Sequence, residues 1–144
     1  MSDNSSMVKT LLNELNQDVA HYQELVAQLK QQHVLLVNRD NQALIGHNQQ
    51  LQSLMALLNQ HATNRHTILT RLGVTANNEG MQKLLSKLPQ QVQQKGMMLW
   101  QKLYDLTLTC QELNNTNGRL LAQQKQLIDR LLKPEQQYCY GPGE

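Results

Sequence analysis

Five histidines and two cysteines are the residues of this 144-residue chain whose chemistry is worth testing first. His33, His47 and His61 are spaced two heptads apart and would share one face of a continuous helix. Two heptads of helix rise about 21 Å, so no single metal ion can touch two of them on one helix. His61 and His66 are five apart, whereas ligands sharing a metal on one helix need i, i+3 or i, i+4 spacing. These histidines therefore read as half-buried spacers within an apolar face, and no metal is expected. Cys110 lies in the middle of an apolar seam, and no histidine follows it in the C-terminal half. It reads as a buried structural thiol rather than a nucleophile. Cys110 and Cys139 form no CxxC pair, and no carboxylate pair marks a catalytic cleft. No catalytic residue, cofactor or metal site is expected, and the protein reads as a non-enzyme.

Two aromatic pairs call for partners rather than chemistry. Trp100 and Tyr104 are i, i+4 neighbours on one helix face, either as part of the core or as an anchor for a partner. Tyr138 and Tyr140 stand beyond a helix stop, in a segment with Pro142 and two glycines, where no core is at hand. They are expected to dock, on this protein or on another.

The elements that carry these residues are helices. Leucine and glutamine supply roughly a third of the chain, charged residues only 17%, and aromatics 3% with no phenylalanine. A formal charge of +2 with scattered lysines and arginines excludes a nucleic-acid groove. The N-terminus lacks a secretory signal, and no apolar run nears the ~20 residues that span a bilayer. A cytoplasmic protein without membrane insertion is expected.

Apolar positions recur at alternating spacings of three and four. The first seam runs Leu15, Val19, Tyr22, Val26, Leu29, His33, Leu36, with Ser5 or Ser6 as its cap. Polarity rises at Asn38-Arg39-Asp40-Asn41, which leaves open whether one helix or two spans Met7 to Leu72. A second seam passes through His47, Leu51, Leu54, Leu58, His61, Arg65, Ile68 and Leu72 and stops at Gly73, a suitable left-handed C′ residue. Residues 73–80 read as a loop, 81–88 as a short helix ending at Pro89, and 90–133 as a long helix closed by Pro134. The last seam is Val92, Gly96, Leu99, Leu103, Leu106, Cys110, Leu113, Asn117, Leu120, Gln124, Leu127, Leu131. Its polar members are expected to weaken its packing, as is the Asn-rich run with Gly118, since glycine alone costs about 1 kcal/mol in a helix. The fold class is all-α: an elongated antiparallel bundle of three to four long amphipathic helices over residues 1–133, with a flexible tail at 134–144.

The C-terminal third carries a resemblance. Leu113 to Leu121 with the Asn117-Gly118 pair, then Leu131 and Pro134, then Tyr140-Gly141 and Gly143 resemble the FlgN family of flagellar type III export chaperones. The helical layout and the Arg65 to Gly73 helix end extend the likeness over nearly the whole chain. The resemblance implies a cytoplasmic, all-helical holder of the hook-filament junction proteins FlgK and FlgL. Such a holder covers their C-terminal helical segments and hands them to the export gate protein FlhA. Cargo contact then falls around Asn117, Gly118, Leu120, Leu121, Leu127 and Leu131, and gate contact on Tyr140. The tail ends almost immediately after that tyrosine. Without the resemblance, the same leucine faces equally suit a self-associating coiled-coil adaptor.

Overall fold

The computed structural model describes residues 2–132, and within them the chain forms four helices: α1 Ser2–Val37, α2 Asn41–Arg71, α3 Asn78–Ser86 and α4 Gln90–Leu132. The expected tail lies outside the described residues. Met7 to Leu72 is two helices. Asn38, Arg39 and Asp40 end α1 in a Schellman-type turn: Asp40 N–H reaches back to Leu35 O, and Arg39 takes φ 55°. Asp40 then caps α2, its side chain accepting from Ala43 N at 3.2 Å. A positive φ at arginine is uncommon, and no glycine advertised this break. At the other end of α2 the expected glycine is in place. Gly73 has φ 82°, with Gly73 N bonded to Thr70 O and Val74 N to Leu69 O.

Two expected boundaries shift. Ser5 and Ser6 lie inside α1 rather than capping it, because the helix begins at Ser2. The short helix starts three residues early, at Asn78, because Asn77 caps it through a bond from Gly80 N at 2.8 Å. Gly80 sits where any side chain would strike the backbone of Thr75, so the preceding loop closes tightly over α3.

Successive long helices run antiparallel, so α1 and α4 are parallel, and α1 is the helix on which both of the others pack. Two apolar clusters fill the seams. The first joins Leu11, Leu15 and Val19 to Ile68 and Leu69 of α2, Met81 and Leu85 of α3, and Leu103 of α4. The second joins Leu25 and Leu29 to Leu51, Leu54, Leu58 and Cys110. Gly96 lets α4 approach closely, since a Cβ there would lie 2.8 Å from Leu85 and 3.2 Å from Leu12.

At the junction of the two clusters on the α1–α2 seam stands Asp18, with a side chain 0% exposed. It accepts from His61 Nδ1 at 2.5 Å and from the Arg65 guanidinium. A carboxylate can stay there only because two donors meet it, since an unpaired buried charge is strongly unfavourable. His61 is thus a ligand of a carboxylate rather than a spacer. The other seam histidines are bonded too: His47 Nε2 donates to Gln28 O at 2.7 Å, and His33 Nδ1 to Asn117 Oδ1 at 3.0 Å.

The α1–α4 seam is held by a ladder of a different kind. Cys110, Asn117 and Gln124 stand at successive heptad positions, and each donates to a main-chain carbonyl of α1 88 residues earlier: Tyr22, Leu29 and Leu36. The amide bonds are short, 2.9 Å for Asn117 and 2.7 Å for Gln124, and the thiol contact is long at 3.9 Å. Asn117 also donates to Gln32 Oε1, whose own amide donates to Asn48 of α2, so one relay of amides ties all three long helices together. The polar seam residues that were expected to weaken packing are therefore bonded. Beyond Cys110, however, α4 buries no apolar side chain among the described residues.

Removing one partner of the Asp18 cluster leaves charge stranded. Asp18→Ala should lower unfolding stability in urea by about 3 kcal/mol, while an apolar triple replacement of Asp18, His61 and Arg65 should recover most of that loss. Burial raises the Cys110 thiol from 9.0 to about 11. A raised pKa means the folded state keeps its proton after the unfolded chain has lost one. The contribution is thus complete below pH 9 and lost as pH rises toward 11. Iodoacetamide at pH 8 should accordingly leave Cys110 unmodified in native protein and alkylate it in denaturant, as read by mass spectrometry. Along α4, amide exchange should be slowest before Cys110 and faster from Leu113 to Leu131, because a net amide bond contributes ~1 kcal/mol against the ~2–5 lost on truncating a buried leucine. Slowest exchange in that distal segment would refute this account of how α4 is anchored.

Candidate functional site

The ladder fixes where α4 leaves its support. With an offset of 88, Gln124 lies level with Leu36, one residue before the end of α1. Residues 126–132 therefore extend beyond Val37, the last residue of α1, by about 10 Å, alongside and past the α1–α2 turn. Helix α4 continues there on propensity: Gln126, Leu127 and Leu131-Leu132 are all good helix formers.

The distal part of α4 and the turn beside it expose apolar side chains. Leu131 and Leu132 are 73% and 74% exposed, Leu121 is 56%, and Leu127 and Ile128 are also largely open. Val37 at the end of α1 and Ile45 near the start of α2 expose theirs at the same end of the bundle. Single exposed apolar residues are ordinary, but a group gathered at one end marks an interaction surface.

The residues singled out from the sequence divide accordingly. Leu121, Leu127 and Leu131 belong to this exposed end, and Leu120 is half-buried beside it. Gly118 is open, with no atom within 4 Å of where a Cβ would stand. Asn117 faces the other way: it is buried, and both its amide hydrogens and its oxygen are engaged by α1. It positions α4 and is not on offer to a guest. Tyr140 lies outside the described residues. Ile128 and Leu132 were missed because only the inner seam was followed, although Leu121, Ile128 and Leu132 form a second apolar stripe with i+7 and i+4 steps.

Trp100 and Tyr104 take both roles weighed for them. Trp100 is half-buried and donates from Nε1 to Asn78 Oδ1 at 2.7 Å, pinning α4 to the start of α3. Tyr104 is exposed on the wall of a cleft of about 410 Å³ between α2 and α4, floored by Tyr22. Among the described residues, no group of three or more histidine, cysteine, aspartate or glutamate side chains is placed to hold a metal ion. Nor is any described helix long and apolar enough to cross a membrane.

The fold matches a crystal structure from Pseudomonas aeruginosa, provisionally described as a flagella synthesis protein FlgN. The TM-score is 0.72 at 25% identity, over 78% of this chain and 86% of that one. No curated protein sequence gave a match. The family profile described as FlgN protein matches residues 7–138, nearly the whole bundle and the start of the tail, and on that match the chain belongs to the FlgN family.

Proposed function

We propose that this protein is a cytoplasmic export chaperone that holds the C-terminal helical segments of the flagellar junction proteins FlgK and FlgL. By holding them it prevents their premature assembly, and it then delivers them to the export gate protein FlhA. The observation that supports this reading most is the exposed apolar end of α4, presented on a helix whose distal half is anchored by amide bonds rather than by a leucine core. Proteins that polymerise through amphipathic helices need those helices covered until assembly, and an apolar helix surface covers them without chemistry. Family membership and the likeness to a flagella synthesis protein point to the same system. Leu121, Leu127 and Leu131, joined by Ile128 and Leu132, carry the cargo contact, with Leu120 at its margin. Tyr140 carries the gate contact.

The exposed end would also serve a self-associating adaptor, and one set of titrations separates the two. Isothermal calorimetry with C-terminal helical segments of FlgK and FlgL should give a saturable complex with each competent segment. Leu127→Ala/Leu131→Ala should weaken that complex by about 1 kcal/mol or more. Affinity should change little between low and high salt, because few charges are available to screen. Tyr140→Ala should keep cargo binding and lose binding to the cytoplasmic part of FlhA. A folded sample that ignores both segments and sediments as a stable homo-oligomer would replace the chaperone with the adaptor.

A further inference from the structure

Helices α2 and α4 both pack on α1 but share no substantial contact of their own, and the space between them stays open. Its upper part is the 410 Å³ cleft beside Trp100 and Tyr104. Its lower part, about 230 Å³, lies between Met55 and Asn114 over a floor of Leu29 and Gln32. The residues facing it repeat at heptads on both walls. Asn48, Met55, Ala62 and Leu69 line it from α2, and Trp100, Thr107 and Asn114 from α4. Residues seven apart drift only ~20° around a helix, so each set forms one continuous face.

The face on α4 does not stop at Asn114. Two further heptad steps reach Leu121 and Ile128, both exposed at the distal end. Between Asn114 and Leu121, at the four-residue step, is Gly118. Gly96 is explained by packing within the chain, but Gly118 is not, since nothing lies within 4 Å of its missing Cβ. A glycine in mid-helix costs about 1 kcal/mol against alanine, and on an open face its use is to let another backbone come close.

We infer that the α2–α4 cleft is a slot for one amphipathic helix of a partner protein, which enters from the exposed distal end and completes a four-helix bundle. The inference rests on the chaperone reading and gives its guest a path. Asn48 to Leu69 spans about 32 Å, which a helix of roughly 21 residues fills. The lining dictates the guest's chemistry. Arg65 is the one permanently charged side chain facing the cleft, and it is already paired with Asp18. A guest with an apolar stripe edged by uncharged hydrogen-bonding residues fits such walls, and one with charges on its buried edge does not. The last twelve residues of this chain are a poor occupant: as a helix they would cover ~18 Å, and they contain Pro134 and Pro142.

Met55 and Tyr104 are both exposed, so carboxylates there should leave folding intact while blocking the slot. With the FlgK and FlgL segments as probes, Met55→Glu and Tyr104→Glu should each weaken binding tenfold or more at unchanged circular dichroism and Tm. Met55 lies level with Asn114, about 25 Å from Leu131, so an effect there cannot come from the overhang. A photo-crosslinking residue at position 55 should join the guest segment. Full-strength binding by both carboxylate variants, alongside loss in Leu127→Ala/Leu131→Ala, would confine the guest to the distal end and overturn the slot alone. Cross-linking to residues 133–144 or to a second copy, with guest present, would overturn it as well. If the unaltered protein binds neither segment, the chaperone reading fails, and the slot fails with it.

Discussion

Everything in this bundle depends on the register of α4 against α1. An apolar seam of leucines tolerates sliding by a turn or a heptad at modest cost, because one leucine replaces another. A polar side chain that must meet particular side chains does not tolerate it. Asn117 bonds Gln32 and His33 as well as a carbonyl, and α1 repeats that pair at neither neighbouring heptad, so a slip would leave the buried amide short of partners. That fixed offset sets how far α4 overhangs the α1–α2 turn, and so which leucines are left exposed. On the α1–α2 seam the same service comes from Asp18 with His61 and Arg65. One buried polar contact per seam as a register device is its best-attested use in helical assemblies.

The anchoring also changes along α4. Toward α3 the helix is held by Leu103, by the close approach at Gly96 and by the Trp100–Asn78 bond. Past Cys110 it is held by half-buried leucines and by amides. A helix firmly fixed at one end and lightly held at the other can adjust its free end without loss of the bundle. Function placed at that end does not compete with the core for stability.

Much of this was legible in the sequence because helical periodicity is a strong signal over long segments. The long seams, the stop at Gly73 and the extent of α4 follow from spacing and from glycine and proline placement. The α1–α2 break was not, since its left-handed residue is Arg39 and no glycine marks it. Asp18 was passed over in favour of Val19, although the buried set Leu11, Leu15, Asp18, Leu25 and Leu29 keeps the three-four rhythm through Tyr22. A carboxylate at such a position is itself a signal that donors face it. The sequence also marks Asn117 as unusual without revealing its sense. A polar residue on an apolar seam either weakens the seam or bonds across it, and only the facing carbonyl of Leu29 decides between them.

The low charge of the chain acquires a meaning from this geometry. The only ion pairs among the described residues converge on Asp18, and the rest of the polar bonding between helices runs largely through amides, imidazoles and main-chain carbonyls. Ion pairs would lock the helices to specific partners and resist exchange, because a stranded charge is costly. An amide that bonds a helix carbonyl reads the backbone rather than a side chain, and a neutral amide left facing water loses little. The proposed chaperone, which would take up and release helices of more than one sequence, is better served by such groups. Glutamine and asparagine in place of charge hold the helices together while leaving no charge to be stranded at the apolar end.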